Sequence, residues 1–144
     1  MNNSPLWTEL VRVPIAKMQD VLLARFVGRD EAAKMGFAPA ILTRVSTVIS
    51  EITRNVVQHA GCPGDIQIGR ITDASKTGLR IIVSDRGKGI ERLDRLLADG
   101  RLAARGAGLS GARKLVDHFQ IESAPAAGTI VTMEFWKRDL PARN

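Results

Sequence analysis

The chain has 144 residues, 44% of them apolar, and a single cysteine, Cys62. This suits one globular domain over residues 1–144 with a core from about residue 10 to 137, and it excludes a disulfide scaffold or a cysteine-built metal cluster. The formal charge is +6, but 21 Lys and Arg are interleaved with 15 acids and only four Phe and two Trp are available for stacking, so nucleic acid is not the expected partner.

The basic surface suits an anionic ligand or an acidic protein. No run of eighteen apolar residues is present, so no membrane span is expected. The opening MNNSPLWTELVRVP lacks a basic segment followed by an apolar one and does not read as a signal peptide, which makes the cytoplasm the expected location.

Leu10 to Ile15 alternates as a short strand, and Pro14 suggests an edge position. Met18 to Met35 has apolar residues at Val21, Leu22, Phe26, Ala32 and Met35, a helical spacing that Gly36 ends. Pro39 opens a second helix that runs to about Ala60, with Ile41, Leu42, Val45, Val48, Ile49, Ile52, Val56 and Val57 on its apolar face. Asp65 to Ile71 and Leu79 to Ser84 read as a hairpin around Lys76-Thr77-Gly78. Glu91 to Ala98 reads as helix, Arg101 to Gly111 as irregular, and Ala112 to His118 as a short helix. Phe119 to Ser123 and Thr129 to Trp136 close the chain as strands. The order predicts an α+β fold: a two-layer sandwich with helices on one face of a mostly antiparallel mixed sheet.

Gly106 to Gly111, GAGLSG, fits G-x-G-x-x-G. A dinucleotide fingerprint must follow a strand and open the helix of a βαβ unit. Here helix and loop precede it and an antiparallel pair follows, so that reading fails. The glycines still allow backbone N–H groups to approach a phosphate closely.

Three further stretches can carry chemistry. Glu51 and Asn55, in EITRN, are four apart and share a helix face. An Asn oxygen can ligate Mg²⁺ beside substrate phosphates, and a Glu one turn away can take a proton from a hydroxyl. Alone, the pair reads as a solvated helix face. Asp85, in DRGKGI, ends a strand and precedes Gly87 and Gly89. Its carboxylate can accept from an exocyclic amine such as that of adenine, although D-x-G turns are common. Gly128-Thr129 enters the last strand.

Each signal is weak alone, but their order is specific. EITRN, DRGKGI, GAGLSG and GTIVTMEF together resemble the GHKL ATPase superfamily from about Val13 to Trp136. The small size, with GRDEAAKMGF, TRVSTVISEITRNVVQHAG and GAGLSGARKLVDHF, is similar to the bacterial anti-sigma-factor serine/threonine kinases, and within them to the switch kinases of stress-response modules. The resemblance implies ATP and Mg²⁺ as cofactors and phosphorylation of a STAS-domain antagonist. It also implies binding to a PP2C-type phosphatase. The alternative it leaves open is an anti-sigma factor, dimeric, that sequesters a sigma factor. Residue by residue, it implies Asn55 for Mg²⁺, Glu51 as the base, Asp85 for the adenine amino group, and Gly87 and Gly89 for the pocket wall. Gly106 and Gly108 fall at the phosphate end, with the N–H groups of Gly108 and Leu109 turned to phosphate, and Thr129 falls near adenine. The lid segment from Asp99 to Arg105 is short and poor in Gly and Ser, and Ser110 stands where such kinases tend to have Pro. Arg101, Arg105 and Lys88 are loop cations within reach of phosphate or simply solvated, and His59 reads as structural.

Overall fold

The computed structural model describes residues 5–87, 104–124 and 126–137. The first strand, β1 (Leu6–Ile15), leads into helix α1 (Met18–Lys34) and helix α2 (Pro39–Asn55). A π-helical turn, Val56–Ala60, continues α2. Strands β2 (Gly64–Asp73) and β3 (Lys76–Asp85) follow, then helix α3 (Ala104–Leu115), β4 (His118–Ala124) and β5 (Gly128–Trp136). The sheet order is β1-β2-β3-β5-β4. Every described pair is antiparallel, which bears out the α+β sandwich on a mostly antiparallel sheet, and no parallel pair occurs among the described strands.

Local chemistry explains most boundaries. Asp20 in the first turn of α1 accepts from the Ala16 and Lys17 backbone N–H groups at 2.9 and 3.0 Å. Those bonds satisfy orphan donors and hold its carboxyl below the usual carboxylate range. Pro39 sits at the start of α2, where its missing N–H costs nothing. Pro14 lies on β1, an edge strand as its proline suggested; that strand begins at Leu6 rather than Leu10 and carries a bulge between Glu9 and Val11. The apolar stripe of α2 (Val45, Val48, Ile49 and Ile52) packs with Ile66, Ile68, Ile81, Val83 and Met133 of the sheet into one buried core.

Helix α3 differs from expectation. It starts eight residues before Ala112 and absorbs the glycine-rich stretch. Glycines in a helix cost about 1 kcal/mol each relative to alanine. Burial of Leu109 and Ala112, with Leu115 partly covered, offsets that cost. The helix ends at Leu115 rather than His118 because Asp117 is already hydrogen-bonded to β5. Its N–H donates to the Glu134 carbonyl at 3.0 Å, and its carboxylate accepts from the Trp136 N–H at 2.7 Å. The helix expected over Glu91 to Ala98 lies outside the described residues. No described helix is long and apolar enough to cross a membrane.

The sheet face away from the helices carries its own network. Glu134, 6% exposed, accepts from Arg80 at 2.7 Å and from the Trp136 indole N–H at 3.1 Å. The Arg80 guanidinium lies 5.7 Å from the centre of the Trp7 ring. Removing one partner of a buried ion pair strands the other. Glu134→Ala is therefore expected to lower stability by about 2–3 kcal/mol, less than for a fully buried pair because Arg80 keeps some solvent. Urea unfolding of the variant against wild type measures this, and a shift under ~0.5 kcal/mol would show the pair to be ornamental.

Candidate functional site

The site forms where α2 ends over the sheet. β3 closes on Asp85, and strand pairing sets Asp85 opposite Thr129 of β5 and Thr129 opposite Ser123 of β4. Residues opposite one another in an antiparallel pair face the same way, so these three oxygen-bearing side chains form a row across three strands. Asn55, the last residue of regular α2, comes down on that row. Asn55, Asp85 and Thr129 are all buried, at 8%, 8% and 5% exposure. With Ile52, Val56, Val83, Leu109 and Val131 they line one cavity of about 10 Å³, room for roughly a single water.

Hydrogen bonding around the cavity is directional. One Asp85 oxygen, Oδ1, accepts the Gly87 N–H at 2.8 Å. That bond folds the chain back after β3. Glycine is required at two points around this turn, one in it and one packed against it. A Cβ on Gly87 would collide with the Ala60 carbonyl at the end of the π turn, and Gly128, at φ +81°, lies against the Asp85 carbonyl. The π turn itself begins directly after Asn55, and Gly61 ends it in the left-handed conformation. Ser123 Oγ lies 3.1 Å from the Gly128 carbonyl oxygen and 2.7 Å from Thr129 Oγ1.

Asn55 Nδ2 is buried and has no hydrogen-bond partner. An orphaned polar group of this kind costs about 1–3 kcal/mol, a cost a bound ligand can relieve. An amide presents a donor or, after a half-turn, an acceptor oxygen to the same point, so Asn55 fits either a phosphate oxygen or a cation. Among the described residues no three His, Cys, Asp or Glu side chains gather to hold a metal. A cation beside Asn55 would take its remaining ligands from substrate and water.

The sequence-based candidates divide. Asn55, Asp85, Leu109 and Thr129 come together, and Gly87 adjoins them through Asp85. Glu51 stands one turn up α2, outside the cavity lining and about 39% exposed, paired with Arg54 Nη1 at 3.1 Å. Gly89, Lys88 and Arg101 lie outside the described residues. Gly106 and Gly108 are in α3, not in a turn. A helix leaves only its first four N–H groups free. Counting from Ala104, the N–H groups of Gly108 and Leu109 are therefore taken up by the helix rather than turned outward. What enters the cavity is the Leu109 side chain, 2% exposed. His59 is half-buried in the π turn.

Sequence reasoning missed Ser123. The signal was its position two after Ile121, on the inward side of an alternating strand, opposite the Gly-Thr pair. A larger hollow of about 660 Å³ lies at the other end of β3 and β5 among Asp73, Lys76, Asp117, His118, Glu134, Trp136 and Lys137. It contains none of the candidate site residues.

A family model described as the histidine kinase-like ATPase domain matches residues 15–135. The serine/threonine-protein kinase RsbT of Bacillus subtilis is 37% identical over 121 residues, which cover 83% of this chain and 90% of that protein. An anti-sigma F factor of Caldanaerobacter subterraneus is 30% identical over 127 residues, 83% of this chain and 87% of that protein. Among solved structures, the RsbU and RsbW domains of Rv1364c from Mycobacterium tuberculosis superpose with a TM-score of 0.64 at 22% identity, over 97% of this chain and 34% of that one. The SiaB-SiaC complex from Pseudomonas aeruginosa gives a TM-score of 0.56 at 14% identity, over 90% of this chain and 91% of that one. The two structures share the fold: an antiparallel five-stranded sheet with helices on one face.

Proposed function

The chain belongs to the histidine kinase-like ATPase domain family, and on that premise we propose that it is a MgATP-dependent serine/threonine protein kinase acting on a small STAS-domain partner. The observation that carries this reading is the meeting of Asn55, Asp85 and Thr129 in one buried cavity. Motifs 30 and 44 residues apart (Asn55 to Asp85, Asp85 to Thr129) have no reason to converge in a merely structural role. The 37% identity to a serine/threonine kinase supports the reaction type.

The chain's own residues divide the work. Asp85 keeps Oδ1 on the Gly87 N–H and leaves Oδ2 for the adenine amino group. Thr129 supports the base beside it. Asn55, as the metal ligand, would hold Mg²⁺, which supplies charge neutralisation at the phosphates. Glu51, one turn up α2 from Asn55 and partly open to solvent, takes the proton from the partner's hydroxyl. The hydroxyl oxygen then bonds to the γ-phosphorus as the bond to ADP breaks. Gly106, with its N–H in the free first turn of α3, belongs at the phosphate end, and Gly108 and Leu109 border it. Gly87 and Gly89 shape the pocket wall. Adenine far exceeds the present cavity, so its entry requires the Leu109 side chain to withdraw. In this reading, release from the STAS partner frees the kinase to bind and activate a PP2C-type phosphatase.

The test is a phosphotransfer assay with purified STAS-domain partners and labelled MgATP, beside calorimetric titration of ATP. Labelled partner and Mg²⁺-dependent binding are expected. A protein that binds no ATP overturns the reading. The 29–30% identity to anti-sigma F factors supports a second reading, sequestration of a sigma factor by a dimer of this chain. Sigma binding without partner phosphorylation would favour it.

A further inference from the structure

We infer that Arg54 is a positioning residue for phosphoryl transfer, one that pins the Glu51 carboxylate from its outer side and leaves one oxygen free on the side of Asn55; this rests on the kinase reading with Glu51 as its base. Among the described residues the one side chain that bonds Glu51 is Arg54, through Nη1 to Oε1 at 3.1 Å, and the Arg54 guanidinium bonds nothing else. The contact is single, so Oε2 stays open. Both side chains are partly exposed, at 37% for Arg54 and 39% for Glu51. Pairs of this kind, three residues apart on a helix surface, add little to stability. Folding alone therefore gives little reason to hold this carboxylate in one place.

Helix geometry sets the side on which the open oxygen lies. All three residues are within α2. At 3.6 residues per turn, Asn55 is rotated about 40° from Glu51 in one direction and Arg54 about 60° in the other. Asn55 is buried and lines the cavity. The side chains therefore run in the order Asn55, Glu51, Arg54 from cavity to solvent. Arg54 holds Oε1 on the solvent side, and Oε2 is left toward Asn55, the residue assigned to the metal beside the phosphates.

The step that this placement serves is balanced. The proton of the partner's hydroxyl passes to Oε2, the hydroxyl oxygen bonds to the γ-phosphorus, and the bond from that phosphorus to ADP breaks with its electron pair leaving on ADP. A glutamate free in solvent samples many rotamers and is aimed correctly for only part of the time. Fixing it in advance supplies the orientation that the transfer needs. Arg54 touches neither the hydroxyl nor the nucleotide, so it acts through Glu51.

The experiment is single-turnover phosphotransfer from labelled MgATP to a purified STAS-domain partner by wild type, Arg54→Ala, Arg54→Lys, Glu51→Gln and the double variant Glu51→Gln/Arg54→Ala. Calorimetric titration of MgATP and thermal melts accompany each. Arg54→Ala is expected to slow transfer about tenfold or more, with MgATP affinity within about twofold of wild type and an unchanged melt. In the Glu51→Gln background the same change should have no further effect, because no base is left to position. Arg54→Lys still offers one donor and should transfer within about threefold of wild type. Unchanged or faster transfer by Arg54→Ala overturns the assignment, as does a lysine variant as slow as the alanine one. Losses that multiply in the double variant also overturn it, because Arg54 would then act independently of Glu51. A matching fall in MgATP affinity overturns it by placing Arg54 on the nucleotide. Wild-type transfer by Glu51→Gln overturns the base, and no transfer by wild type overturns the kinase reading; either takes this inference with it.

Discussion

Replacing Glu51 with glutamine is expected to slow phosphoryl transfer to the protein partner about a thousandfold while leaving MgATP affinity within about twofold. Glu51 is on α2, one turn before Asn55, but is absent from the cavity lining. Its loss should therefore not disturb the base or the metal. Its carboxylate is half-exposed and held by Arg54 at 3.1 Å, a pair between neighbouring turns of the same helix. That placement suits a base whose substrate is the hydroxyl of another protein arriving from solvent. Glutamine keeps the shape and loses the basic oxygen. Because the Arg54 pair is solvent-exposed, its loss should shift stability by under ~1 kcal/mol. Single-turnover phosphotransfer and calorimetry on the same preparation check both halves. If transfer and nucleotide affinity fall together, Glu51 is a structural residue and the base must be sought elsewhere.

The site was legible in the sequence to the extent that its parts carry local chemistry. Asp85 could be placed at a strand end because LRIIVS alternates before it and Gly87 follows. Asn55 could be placed because the apolar stripe of α2 is long and regular. The β2–β3 hairpin was legible for the same reason, since its turn residues stand between two alternating runs. The row Asp85–Thr129–Ser123 was not legible as a whole, because Asp85 joins it only through the pairing of β3 with β5, across helix α3 in the chain. No local pattern encodes the register of strands separated by a helix. The start of α3 was misplaced for a related reason. Gly106, Gly108 and Gly111 argue locally for a turn, but Leu109 and Ala112 find a buried surface against the core, and tertiary burial outweighs propensity. The π turn after Asn55 has no composition of its own. It is fixed from outside, where the Gly87 backbone docks against the Ala60 carbonyl.

Asn55→Ala should separate ligand binding from folding more sharply than any other change in this chain. MgATP affinity is expected to fall about a hundredfold, the scale on which metal sites respond to loss of a supporting group. The residual ATP affinity should no longer depend on Mg²⁺. Stability of the free protein should move the other way or hardly at all. Asn55 Nδ2 is buried without a hydrogen-bond partner, so alanine removes an orphaned donor rather than a bond. The relief of that desolvation, about 1–3 kcal/mol, is set against the lost contacts of a small side chain. Ordinary core polar residues behave oppositely, because they are satisfied and their removal is costly. Urea unfolding without ligand, beside ATP titrations with Mg²⁺ and with a chelator, reads both quantities. Stability falling by more than ~2 kcal/mol alongside affinity would make Asn55 a core residue of α2. Affinity falling alone would mean that the last residue of a buried helix keeps its amide unpaired because the partner it is shaped for is the nucleotide's metal.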